Sequence, residues 1–171
     1  TQTPADHWIL GRLDTATRKI AKDLDNHRFS DAYETLYHFI WHDFADWYVE
    51  ASKIENNPGM LAYTLESPLK IAHPFAPFVT ETIWQTLAWE QDSFAATQPW
   101  PESSRFDAAQ AKKFEEAIAI ISDARHIVSV LDLEKPHLYY QHSDAIVEQV
   151  GLIIKLTRLG GVTETKNEKQ H

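Results

Sequence analysis

The sequence predicts a mainly α fold: an antiparallel helical bundle over residues 1–132, followed by a small β-α-β appendage over residues 133–171. Three observations predict it. Apolar residues recur at three and four along most of the chain, the spacing that places them on one face of a helix. Stretches of that period are separated by turn chemistry, such as NNPG at 56–59 and HPFAPF at 73–78. After Lys135-Pro136 the period changes, and short aromatic or β-branched runs flank one last helical stretch.

In the first helix, residues 8–24, the apolar stripe is Ile9, Leu13, Ala16, Ile20 and Leu24. HRFS at 27–30 breaks it, and Ser30 is expected to cap a second helix running to about residue 53, its hydroxyl accepting from an orphan backbone amide. The turn at 56–59 leads into a third helix, 60–72, in which Pro68 removes one backbone hydrogen bond and predicts a kink or break. Pro77 or Thr80 opens a fourth helix through Ile83, Trp84 and Leu87. Residues 88–105 read as a surface loop anchored by Trp100 between two prolines. Asp107 with Gln110 forms a capping-box pattern for a fifth helix, whose buried stripe is Phe114, Ala117, Ile118, Ile121, Ala124, Val128 and Leu131. HLYYQH at 137–142 reads as a strand, Ser143 as the cap of a helix through Leu159, and Gly160-Gly161 as its stop. VTET at 162–165 is the second strand, and the polar KNEKQH tail is expected to fray.

Composition narrows the class of protein. At 171 residues, with 43% apolar and 24% charged side chains, the chain is long enough to bury a sizeable core and reads as globular rather than disordered or fibrous. It has no cysteine, so disulfide frameworks and thiolate chemistry are excluded. No apolar run approaches the roughly 20 residues that span a bilayer, and the start TQTPADHWIL lacks a secretory pattern. A cytoplasmic location without a membrane partner is the expectation. The net charge of −9 is adverse for binding phosphate, but it is unevenly spread. Residues 1–30 hold five Lys or Arg against four acids, whereas 31–60 hold one against six.

The densest chemistry lies in FIWHDFADWY at 39–48. Projected at the helical period, Leu36, Tyr37, Ile40, Phe44, Trp47, Tyr48 and Ala51 fall on one broad side and are assigned to the core, as is Trp84. His38, His42 and Asp46 fall opposite. Their spacing of four could offer metal ligands, but the outer two lie about 12 Å apart at the helical rise, too far for one ion. A solvated face is the reading preferred. Asp43 and Glu50, on the flank, and also Asp46 are assigned to pairing with basic residues of the first helix rather than to acid-base catalysis. There is no Gly-rich phosphate loop, no nucleophile elbow, no HExxH and no EF-hand loop.

FIWHDFADWYVEASK at 39–53, followed by LKIAHPFAPFVTETIWQ at 69–85, resembles the C-terminal helical region of valyl-tRNA synthetases, the anticodon-binding domain of those class I enzymes. DHWILGRL at 6–13 and QPWP at 98–101 are similar to the same region, in the same order. The resemblance is looser from Phe114 onward, where LDLEKPH departs from the family's connecting turn. It implies recognition of a valine-specific tRNA through its anticodon arm. It also implies a catalytic domain elsewhere in a longer parent chain, using ATP and magnesium, as a further partner. No HIGH-type or KMSKS-type motif occurs here, so no catalytic residue, metal or cofactor is expected in these residues. Against the family pattern the chain looks truncated at both ends, without the preceding basic helix and the following coiled coil.

Unstacked anticodon bases are read by aromatic and guanidinium planes. The candidate nucleic-acid-binding residues are therefore Trp8, Arg12, Arg18 and Lys19. Trp8 would stack on an anticodon base and the three cations would engage phosphates; alternatively Trp8 seals the end of the bundle. Trp41 has a weaker claim. Two other classes stay open: a helical metal enzyme, which needs inward-facing ligands from several helices, and a helical protein-interaction module without RNA binding.

Overall fold

The first helix occupies the centre of the molecule, because its apolar stripe is the surface against which most of the other helices are buried. The computed structural model describes residues 2–87, 93–157 and 159–165. Helix α1 spans Pro4–Asp25 and starts four residues before the expected point. Thr3 caps it through a reciprocal box with Asp6, and Pro4 occupies the first turn, where its missing N–H costs nothing. Ala5, Ile9, Leu13, Ala16 and Ile20 are buried along its length. Around it pack α2 (Phe29–His38), α4 (Pro58–Ala72) and α6 (Ala108–Val130).

A tight turn with left-handed His27 joins α1 to α2. Helix α2 begins at Phe29, before Ser30, and no side chain caps it, so the expected Ser30 cap is corrected. The expected single helix is continuous from Phe29 to Glu55, but its winding changes along the way. Between α2 and α3 (Val49–Glu55) residues Phe39–Tyr48 wind as a π-helix, in which the Val49 N–H reaches back five residues to the Phe44 carbonyl. Projection at the α period therefore drifts across this segment. Phe39 and Tyr48 are buried, Phe44 and Trp47 are half-buried, and Tyr37, assigned to the core, is exposed.

Helix α4 starts from an Asn57 side-chain cap and remains helical through Pro68, so the chain does not break there. Leu69, Ile71 and Ala72 are buried around that position, and this packing offsets the one lost hydrogen bond. The two-proline corner leads into α5, Pro77–Leu87, with Trp84 buried. His73 Nδ1 lies 2.9 Å from the Thr80 hydroxyl across that corner. Of the following loop, residues 88–92 lie outside the described residues. Trp100 lies beside Ala21, Leu24 and Asp25 at the end of α1.

Asp107 caps α6 by accepting from Ala109 N at 2.8 Å and Gln110 N at 3.3 Å. The reciprocal half of the expected box comes from elsewhere: the Asp107 N–H donates to His7 Nδ1 at 3.1 Å. Phe114, Ala117, Ile121 and Ala124 are buried, but Leu131 is exposed in the turn after the helix, beyond the cover of its neighbours. Strands β1 (His137–Tyr140) and β2 (Gly161–Glu164) pair in parallel across α7 (Asp144–Thr157), the expected β-α-β order. Ser143 Oγ accepts from Ile146 N, as its assignment to the cap requires. The glycine pair does more than stop a helix. A Cβ on Gly160 would stand 2.6 Å from the Lys135 carbonyl, so only glycine lets β2 enter beside β1. Ile146, Leu152, Ile153 and Leu159 belong to one hydrophobic cluster with the α1 residues. The KNEKQH tail lies outside the described residues.

Candidate nucleic-acid interface

Arg12, Arg18 and Lys19 all project from the solvent side of α1, and each is held by a carboxylate. Arg12 Nε lies 2.9 Å from Asp43 Oδ2, the pairing expected between the first helix and the aromatic segment. Arg18 forks onto Asp14, with Nε donating to Oδ1 at 3.0 Å. Lys19 Nζ donates to Asp23 Oδ2 at 2.9 Å and to the Thr35 hydroxyl on α2 at 2.7 Å. Asp23 also receives Arg28. The hydrogen bond from Arg18 holds the Asp14 carboxyl below the usual range against the cost of burial, and Lys19 does the same for Asp23.

In all three pairs the acid is the more buried partner and the cation the more exposed. The carboxylates thus act as fixed footings that aim positive groups outward. Such geometry suits phosphate, which can share donors that the carboxylates leave open, and nothing in it abstracts or delivers a proton. Because Arg12 is half exposed, its pair with Asp43 should stabilise little. In a double-mutant cycle of Arg12→Gln and Asp43→Asn followed by urea unfolding, we expect a coupling below about 1 kcal/mol but above zero. Purely additive losses would show that the two side chains do not interact in solution.

The other flank assignments differ. Asp46 pairs with His42 at 3.4 Å and His38 with Glu34 at 3.8 Å, so this row lies outward on its own helix and does not reach α1. Glu50 pairs with Lys53. Trp47 is half-buried, with the Arg125 guanidinium 5.2 Å from its ring centre.

Trp8 is only 6% exposed, and its ring packs 5.2 Å from that of Phe114 on α6. It is not presented for stacking on a base, and its position fits the alternative in which it seals the bundle. The physical reason is that α1 is central: α6 and the segment leading into it cover its first turns, through the His7 bond to Asp107 and the Ser103 bond to Asp14.

A row of exposed aromatic residues lies elsewhere, on α2 and the start of the π-helix. Phe29, Tyr33, Tyr37 and Trp41 are all largely solvent-exposed, one every four residues. The Tyr37 and Trp41 rings are parallel within 5°, with centroids 6.1 Å apart. Tyr33 meets Phe75 at 6.0 Å, so the row is anchored at the α4–α5 corner. The repeat is visible in the sequence as F-x3-Y-x3-Y-x3-W, but a single projection of the helix placed Tyr37 inside and hid it.

A central cation-bearing helix wrapped by others, with this aromatic row beside it, has the form of a helical binding domain. Residues 6–138 match the family described as the anticodon-binding domain of tRNA ligase, and the chain belongs to that family. Its relatives carry the name valine–tRNA ligase. The chain is 33% identical over 168 residues to that of Mycobacterium leprae, covering 92% of this chain and 19% of the relative. It is 43% identical over 114 residues to that of Mycolicibacterium paratuberculosis (63% and 13%), and 32% identical over 158 residues to that of Geobacillus stearothermophilus (84% and 18%). The chain therefore spans less than a fifth of the length of these relatives. No helix among the described residues is long and apolar enough to cross a membrane.

Proposed function

We propose that this chain binds the anticodon arm of a valine-specific tRNA and serves a valine–tRNA ligase whose ATP- and magnesium-dependent aminoacylation is carried out by a catalytic domain of the same longer chain, in the cytoplasm. Residues 1–132 would form the RNA-binding bundle and 133–171 an appendage to it. The observation that carries this reading is the family match over residues 6–138, on a bundle whose central helix aims Arg12, Arg18 and Lys19 at solvent. Those cations engage backbone phosphates, which positions the arm without reading its sequence.

The test is fluorescence anisotropy with a valine anticodon stem-loop, against one with its A and C anticodon bases replaced, at two salt concentrations. The expected result is preference for the valine loop, with affinity falling as salt rises. If the three cations each neutralise one phosphate, log K should fall with log salt with a slope of about −2. Equal binding of both loops, or binding indifferent to salt, would overturn the reading.

A second reading, a protein-interaction module, draws on two other apolar patches. Phe78 and Val79 on α5 are exposed, as are Ile127 and Val130 on α6 with Leu131 just beyond it. Association through such surfaces responds weakly to salt, so the same titration separates the two readings.

A further inference from the structure

We propose that Tyr37 and Trp41 form a stacking site for an unpaired RNA base, with His38 and His42 at its edges. The proposal rests on the anticodon-arm reading and adds to it the place where a base would be held.

Two physical features distinguish this surface from the other exposed apolar ones. It is aromatic and contains no exposed aliphatic residue, whereas the α5 and α6 patches include valine, leucine or isoleucine. Helix-on-helix seams favour branched aliphatic knobs, while single-stranded nucleic acid favours flat rings, because every base has a π face. The rings are also held in place before any ligand arrives. Tyr37 lies parallel to Trp41, and the His38 and His42 imidazoles meet it edge-on, with centroids at 6.1 Å and 6.4 Å. The contact with His42 spans five residues, the π-helical spacing, so the unusual winding helps to build the cluster.

Trp41 is 56% exposed and Tyr37 47%, leaving ring surface on which a base can continue the parallel set. The imidazoles and the Tyr37 hydroxyl supply polar atoms at the ring edges, suited to base edges or a 2′-hydroxyl. Of the acids nearby, Glu34 contacts His38 at 3.8 Å and Asp46 contacts His42 at 3.4 Å. Lys19, through Thr35, and Arg12, through Asp43, attach to the same continuous helix on its α1 side, where the strand's phosphates would lie.

The test uses the 171-residue chain with the valine stem-loop and with a fully paired RNA duplex of equal charge. Trp41→Ala and Tyr37→Ala should each weaken loop binding at least about fivefold, Trp41→Phe should stay within about threefold of the wild type, and duplex binding should not change. Unchanged helical circular dichroism will show that the variants fold, as expected for exposed positions. Wild-type loop affinity in Trp41→Ala, with the parent's binding still selective and salt-sensitive, would overturn the stacking site and leave the anticodon reading standing. No loop binding by the parent chain would overturn both. A parent chain that self-associates, with Trp41→Ala monomeric and its RNA affinity intact, would assign the aromatic row to a protein contact instead.

Discussion

Trp8→Ala is expected to lower the unfolding free energy by about 3 to 5 kcal/mol, the usual range for deleting a large buried aromatic ring. Trp8 is almost fully enclosed, and its partner Phe114 is completely so. Removing the indole therefore opens a void between α1 and α6 that neither helix can close without moving the rest of the core. Both helices are tied nearby by the His7 bond to the Asp107 N–H, so collapse into the void is resisted. Urea unfolding should show an earlier midpoint with an unchanged slope. RNA affinity, corrected for the folded fraction, should stay at the wild-type value. A loss below about 1 kcal/mol combined with weakened loop binding would mean that Trp8 works at the surface in solution.

A loss of similar size is expected from Asp6→Ala, by a different route. Asp6 is fully buried and accepts three hydrogen bonds: from the Tyr48 hydroxyl at 2.6 Å, the Asn57 amide at 2.8 Å and the Thr3 N–H at 3.1 Å. These join the start of α1 to the end of the π-helix and to the cap of α4. Alanine leaves the Tyr48 hydroxyl and the Asn57 amide without their partner, at about 1 to 3 kcal/mol each, and removes half of the capping box. The same cluster contains Glu55, which accepts from the Thr3 hydroxyl at 2.6 Å and whose carboxyl is pushed up by burial and by the Asp6 charge. At about 2 to 4 °C per kcal/mol for a chain of this size, the melting temperature should drop by roughly 6 to 20 °C. Asp6→Asn, which keeps one carbonyl acceptor, should fall between the two. A melting temperature within about 2 °C of the wild type for Asp6→Ala would show that this junction does not hold the helices together.

How much of this was legible beforehand differs from element to element. The α1 stripe, a start of α5 at Pro77 or Thr80, the Asp107 cap and the β-α-β order all come from local period and turn chemistry, and the structure has them, with α5 starting at Pro77. The Arg12–Asp43 pair was also legible, because opposite charges on two adjoining helix faces have few other partners. Ser30 was a misleading cap because the preceding turn, with left-handed His27, lets the helix begin at Phe29 without one. The π winding was not legible, since it depends on which of several aromatic residues the surrounding helices can accommodate. Tyr37 lies in α2, before the π segment, and is exposed although its neighbour Leu36 is buried, because the other helices cover only the Ala32–Leu36 side of α2.

By itself the sequence determined the helical class, the order of the elements, the cation-rich first helix and, through FIWHDFADWY and HPFAPF, the family to which the chain belongs. Only the tertiary structure decided that α1 is the central helix rather than an edge. That placement buries Trp8 against Phe114, turns the paired cations outward and leaves Tyr37 and Trp41 exposed. The reason is physical: periodicity reports which face of a helix is apolar, but how many neighbours cover that face depends on contacts between residues far apart in the chain.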